Sequence, residues 1–294
     1  MKLVCIGDAM IDVMVRYQGP INFNSDTPSV ISIQNGGAAA NTAVWAARSG
    51  IDTTFVGRVG DDLAGQTFLD DLEKNQVLHG DIFTLGERTG TVVVLVDENG
   101  ERTMFPSLGA NAQLSSGDFP NSRFDALYLS GYAYFNPKLT SSIAAFLTSA
   151  IANKTPIFFD PASTGIMKNL GRLQVLKLLT NFDFLLLNEE ESQYLSEKNS
   201  HQSALDFLLD FAKGVVIKLG GAGAIAKLRG GENYSVNAQP VSVVDTTGAG
   251  DAFAAGFIAD WLLTRKLESS LVAASKLAGE CVSNIGARPS VIAR

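Results

Sequence analysis

The chain has 294 residues, 46% of them hydrophobic and 18% charged, and carries a net charge of −7. That composition suits a folded globular protein with a large core. The acidic balance excludes the basic face that nonspecific nucleic-acid or membrane-surface binding requires.

The N-terminal KLVCIG (2–7) reads as a buried strand, and Asp8 ends it. One lysine and a short, interrupted apolar run do not make a signal peptide. No stretch reaches the roughly 18 apolar residues of a membrane span. Cys5 and Cys281 form no metal or redox spacing and sit in apolar runs, as buried thiols of a reducing compartment do. A cytoplasmic protein is expected. Residues 12–34 alternate like strands, with Gly and Pro and no helix. AAANTAVWAARSG (38–50) has small apolar residues at helical spacing and stops at a glycine. TTFVGRVG (53–60) reads as a strand. DDLAGQTFLDDLEKNQV (61–77) reads as an amphipathic helix whose leading acids match the helix dipole. TGTVVVLVDENGERTMFP (89–106) reads as a hairpin turning at Asp97–Gly100. ALYLSGY (126–132), PIFFDPAS (156–163), FLLLNEEES (184–192) and GVVIKLGGAGA (214–224) read as strands running into loops. Helices are expected from 132 to about 153 and over 201–213, 251–265 and 267–284. Alternation of this kind implies a parallel sheet covered on both faces.

Ligands of open parallel sheets bind beyond the carboxyl ends of the strands, and the unusual residues collect there. Asp8, Asp160, Asn188 and Gly220 each follow a strand, and Asp251 opens a late helix. In DTTGAGD (245–251), Gly248, Ala249 and Gly250 leave the backbone bare at a helix start. Unpaired N–H groups and the helix dipole attract anions at such a place. Asp251 behind them suits either an N-terminal cap or a base that takes the proton of a hydroxyl attacking a phosphate. NGGAAANTA (35–43) offers Gly36, Gly37 and Asn41 to a ligand's hydroxyls, or else makes a tight turn and close helix packing. Asn188 and Glu191 suit water-mediated Mg²⁺, or an ordinary helix cap. Neither a GxxxxGK[ST] loop nor a dinucleotide GxGxxG is present.

In order along the chain, GDAMIDV (7–13), GGAAANTAVWAARSG (36–50), VGRVGDDLAG (56–65), NEEE (188–191), KLGGAGA (218–224) and DTTGAGD (245–251) resemble the ribokinase-like (PfkB) carbohydrate kinases over essentially the whole chain. The resemblance implies one α/β domain over 1–294. Its central sheet would be mostly parallel and flanked by helices, and a small antiparallel lid would be formed by about 12–34 and 89–106. It implies transfer of the ATP γ-phosphoryl group to a hydroxymethyl group of a small sugar, of ribose or fructose type. Asp251 would be the base, and the backbone of Gly248, Ala249 and Gly250 the anion hole. Asp8, Asp12, Gly36, Gly37 and Asn41 would hold sugar hydroxyls. Asn188, Lys218, Gly220 and Gly223 would serve the nucleotide, and Asn188 with Glu191 would organise Mg²⁺ through water. Many relatives carry Thr where Lys218 stands, and a lysine there could reach phosphate. Asp245, Thr247, Gly286 and Ser290 would hold K⁺. The lid implies closure against water and a homodimer paired through it. Other acceptors stay open. A 2-keto-3-deoxygluconate would call on Arg102 or Arg16, and a nucleoside would stack on Tyr17, Phe23 or Phe105. A non-catalytic sugar-binding relative is a further reading.

Overall fold

The computed structural model describes residues 1–179 and 182–289. Its main sheet is built from β1 (Lys2–Ile6), β4 (Asp52–Val56), β6 (Leu78–His79), β10 (Ala126–Ser130), β11 (Ile157–Asp160), β12 (Phe182–Asn188), β13 (Ala212–Lys218), β14 (Ala224–Leu228) and β15 (Asn233–Val236). The strand order is β15-β14-β13-β12-β11-β10-β1-β4-β6. The run from β13 to β6 is parallel, while β14 pairs antiparallel with β13 and β15 with β14.

Successive side chains of a strand point to opposite faces, and each strand here feeds two cores. Leu3, Cys5, Tyr128, Phe158 and Leu186 pack on one face with α1 (Ala38–Arg48), α2 (Leu63–Lys74), α9 (Ala249–Thr264) and α10 (Leu267–Val282). Val4, Ile6, Leu127, Leu129, Phe159 and Leu187 pack on the other. There they meet α3 (Gly131–Tyr134), α4 (Thr140–Ala152), α5 (Thr164–Leu170), α6 (Arg172–Leu178), α7 (Glu189–Ser196) and α8 (His201–Leu208). This two-sided burial explains why the strands read as continuous apolar runs. Between α1, α10 and the sheet, α9 is apolar all round, and its buried residues run from Ala252 to Ala259 without a break.

A second sheet stands off the first. It has the order β3-β2-β8-β9, with β2 (Met10–Tyr17), β3 (Ser29–Gly36), β8 (Gly90–Val96) and β9 (Arg102–Ser107). Its two hairpin pairs are antiparallel. Its central pair, β2 and β8, runs parallel from Met10 and Gly90, because both strands leave the main body at the same edge. The Asp97 turn closes β8 onto β9, with Gly100 N donating to Asp97 O at 3.1 Å.

Several boundaries depart from the sequence reading. The run 53–60 is two strands, since the chain breaks at Gly57. Its second part, β5 (Val59–Gly60), pairs with β7 (Phe83–Thr84) in a separate two-stranded sheet. The helix expected to run to 213 stops at Leu208, where the chain turns into β13. The helices α5 and α6 and the β14–β15 hairpin were not expected.

Candidate active site

Gly248, at φ 77°, opens α9, and no side chain caps that end. A methyl group on Gly248 would lie 2.6 Å from Ala287 O, so only glycine fits this turn. Asp251 is the third residue of the half-buried first turn. Asn41 Nδ2, on α1, donates to Asp251 Oδ2 at 2.9 Å. The side chain therefore does not do the work of a cap. The Ala249 N–H turns back to Thr246 O at 3.3 Å, so one of the three N–H groups expected for an anion is already engaged.

Asp251 opens onto a cavity of about 1520 Å³ between the two sheets. Asp8, Asp12, Gly37 and Asn41 line it on one side. Asn188, Glu191, Lys218, Gly220 and Gly223 line it on the other, and the segment 247–251 lies between. Gly37 takes φ 91° where the chain passes from β3 to α1, and a methyl group there would sit 2.0 Å from Asp8 O. Gly36, Asp245 and Gly286 lie behind the cavity wall rather than on it, and Ser290 lies outside the described residues.

The site gathers buried and half-buried acids. Burial pushes the Asp8 carboxyl up to about 7, and lifts Asp12 to about 6 against the pull of Arg288. Asp251 is raised to about 7, mostly by burial, and Asp160 adds to the rise. The Asn41 hydrogen bond and Lys218 oppose it. Glu191 is raised by burial and by Asp160. Lys218 answers these charges, donating from Nζ to Asp160 Oδ2 at 2.7 Å. The surrounding acids hold its pKa above the usual value in spite of burial. A methyl group on Gly250 would lie 3.4 Å from Lys218 Nζ, which places the ammonium beside the mouth of α9.

Asn188 and Glu191 form a reciprocal cap on α7. Asn188 Oδ1 accepts from Glu191 N and Glu191 Oε2 accepts from Asn188 N, each at 2.8 Å. The capping oxygens are thereby used, and Mg²⁺ is left the second Glu191 oxygen. Among the described residues no three acidic, His or Cys side chains converge on one point. This donor set fits Mg²⁺ held through its waters and through nucleotide phosphates.

The loop residues assigned to K⁺ gather around Asp245. Its Oδ1 accepts from Thr247 N at 3.0 Å and Thr247 Oγ1 at 2.7 Å, and its Oδ2 accepts from Gly286 N at 3.2 Å. Two arginines of the small sheet complete the set. Arg102 Nη2 donates to Asp245 Oδ1 at 3.1 Å and to Thr246 Oγ1 at 3.2 Å, and Arg16 Nη2 lies 3.9 Å from Oδ2. Among the described residues of this set, the Asp245 carboxylate already faces two guanidinium groups and does not fit K⁺ in this position of the sheet.

The face of the small sheet above the cavity is graded by register. Asp12 and Val92 form one row, Met14, Val94 and Met104 the next, and Arg16, Val96 and Arg102 the last.

The pfkB family carbohydrate kinase model matches residues 1–294. The chain belongs to that family. A fructokinase of Klebsiella pneumoniae is 32% identical over 88% of this chain and 83% of its own length. An ATP-dependent ribose-1-phosphate kinase of Halopiger xanaduensis is 30% identical over 95% of this chain and 88% of its own. Among solved structures, an adenosine kinase from Sinorhizobium meliloti superimposes with a TM-score of 0.88 at 27% identity, covering 98% of this chain and 96% of that one. The protein is an ATP-dependent sugar kinase, a phosphotransferase of this family.

Two site residues of this carbohydrate kinase had no assigned role in the sequence. Asp160 lies at the carboxyl end of a strand, among the residues expected near a ligand, and it proves to be the partner of Lys218. Arg288 stands in NIGARPS, which was read for Gly286 and Ser290 alone. Its guanidinium donates to Asn41 Oδ1 and to Gly36 O. Asp62 keeps the plain role expected of it, capping α2 through Gly65 N at 2.9 Å. It also accepts from Thr89 N at 3.0 Å, at the foot of β8.

Proposed function

We propose that the chain transfers the γ-phosphoryl group of ATP to a hydroxymethyl group of a small neutral sugar, of ribose or fructose type. The observation that carries this is the Asp251 carboxyl at the mouth of α9, facing the same cavity as Asp8 and Asp12. Those two acids accept sugar hydroxyls and orient the acceptor. Asp251 accepts the proton of the attacking hydroxyl, and its elevated pKa suits a base working near neutral pH. Backbone N–H groups at Gly248 and Gly250 face the developing negative charge, and Lys218 adds a cation there. Mg²⁺, when bound, supplies charge neutralisation to the nucleotide phosphates, and the second carboxylate oxygen of Glu191 would hold it through water.

The small sheet serves as the lid, spanning about 12–34 and 89–106 of the single 1–294 domain. Arg102 and Arg16 hold it down at Asp245. Because both arginines are committed there, an anionic acceptor such as a sugar acid is disfavoured. A homodimer is supported by the outer face of the lid, where Ile31, Ile33 and Phe105 are 62%, 71% and 56% exposed. A second copy covering that face would also shield the edge strand β3.

A nucleoside acceptor is the second reading. The apolar row Met14–Val94–Met104 above the cavity favours it, as does the likeness to an adenosine kinase. ADP release measured over pentoses, hexoses, sugar acids and nucleosides decides among them. The expected result is turnover with a neutral ketose or pentose. Turnover with nucleosides alone would install the second reading, and sugar binding without turnover would reject the kinase mechanism.

A further inference from the structure

Arg288 lies in the loop after α10 with only 8% of its side chain exposed. Its guanidinium joins three elements. Nε donates to Asn41 Oδ1 at 2.9 Å, Nη2 donates to Gly36 O at 2.9 Å, and Nη1 pairs with Asp71 Oδ2 on α2. The charge also sits 4.9 Å from the centroid of the Phe68 ring. The loop is pinned from behind, where Trp45 Nε1 donates to Ala287 O at 2.9 Å. Of these partners only Asn41 lines the cavity, and its amide is the one that touches Asp251.

An asparagine amide has an accepting and a donating end, whereas a guanidinium only donates. Arg288 therefore fixes the amide oxygen of Asn41 toward itself and the amide nitrogen toward Asp251. Without the arginine, Asn41 could turn its oxygen to the carboxylate, where the two would repel. We propose that Arg288 is a positioning residue that sets, through Asn41, the orientation and hydrogen-bond polarity of the Asp251 carboxyl. Through Gly36 O it ties the root of the lid to the same point. Asn41 thus serves the carboxyl rather than chiefly the sugar. The proposal rests on Asp251 being the base.

The charge has a second effect. Asp251 faces Asp12 from β2, Asp160 from β11 and Lys218 from β13. The Tyr128 and Tyr132 phenols and the Cys281 thiol also feel its charge. Arg288 and Lys218 oppose this excess of acids. Removing Arg288 makes the ionised Asp251 harder to hold, so its titration moves up and the rate loss is larger at pH 6 than at pH 8.

The test uses the full chain and the acceptor that gives the fastest ADP release. Arg288→Gln is expected to lower kcat about 10–100-fold, the usual range for a supporting-shell residue. The KM values for ATP and acceptor should stay within about threefold, and Arg288→Lys should recover part of the loss. Asn41→Ala should lower kcat similarly, and the double variant should be no slower than the slower single, as for residues acting in one chain. Asp71→Asn breaks the ion pair without touching Asn41 and should keep kcat within about threefold. Losses confined to KM, or single losses that multiply in the double variant, would overturn the proposal. Should Arg288→Gln fail to fold, Asn41→Ala decides, and an unchanged kcat there overturns it too. Carboxyl ¹³C NMR separates this from failure of the base assignment, with the Asp251 signal identified by its loss in Asp251→Asn. An unmoved titration in Arg288→Gln rejects the relay. A titration that moves while kcat does not rejects Asp251 as base.

Discussion

Replacing Asp251 by Asn should make the protein slower and more stable at once, and the two effects share one cause. The carboxyl is held in a largely buried, acid-rich pocket that lifts its pKa from 3.8 to about 7. A displacement of that size corresponds to about 4 kcal/mol against the charged form. The cavity mouth leaves Asp251 partly accessible, and solvent screening there brings the realistic figure to about 2 kcal/mol. The sign follows from linkage. A carboxyl whose folded pKa is raised destabilises the fold fully above about pH 7, and the penalty fades as pH falls toward 3.8. The isosteric amide escapes the penalty and still accepts from Asn41. Thermal melts at pH 8 should therefore show Asp251→Asn about 2–5 °C above the parent, with the gain shrinking toward pH 5. Over the same variant kcat should fall by about 10²–10⁴, while ATP and acceptor affinities hold. A variant with near-normal kcat would dismiss Asp251 as the base. A melting temperature that falls, or a gain that does not change with pH, would refute the electrostatic account of the pocket.

Other outcomes follow from neighbouring features. Gly248→Ala forces a side chain into a left-handed turn against Ala287 and should cost about 1–3 kcal/mol. It should also lower kcat at least tenfold, so a variant with the parent's melt and rate would rule out the tight turn. Because Arg102 and Arg16 already neutralise Asp245, activity in choline chloride should stay within about threefold of that in KCl. Arg102→Gln should make the enzyme K⁺-dependent; a strong K⁺ requirement in the parent would return Asp245 to the cation. Ile33→Asp on the outer lid face should convert a dimer to a monomer in light scattering after gel filtration, and an unchanged mass would place the interface elsewhere.

What could be read from the sequence was what depends on near neighbours. The need for Gly248 before α9, the glycine pair before α1 and the reciprocal Asn188–Glu191 cap are all set within a few residues, and each was legible in composition and spacing. The alternating cores were legible too, since strand runs buried on both faces have no polar side to show. Arg288 was not legible, because Asn41 lies 247 positions away and Gly36 lies 252 away. The same holds for Arg102, which meets Asp245 across 143 positions and so puts a guanidinium where the sequence suggested K⁺. The helices α5 and α6 were missed for a local reason. Each has seven residues, and Gly171 at φ 85° divides them, too short a run for periodicity to register.

The link between Arg288 and Asn41 also bears on how the protein comes into being. A growing chain can lay down β1, α1 and even the glycine turn at 248 before residue 288 has been added. Until then the amide beside Asp251 lacks the donor that sets its direction, and the lid root lacks one of its ties. A nascent or prematurely terminated polypeptide would thus be a poor consumer of ATP even with every other part in place. Addition of this one residue would bring the amide and the lid root under control together.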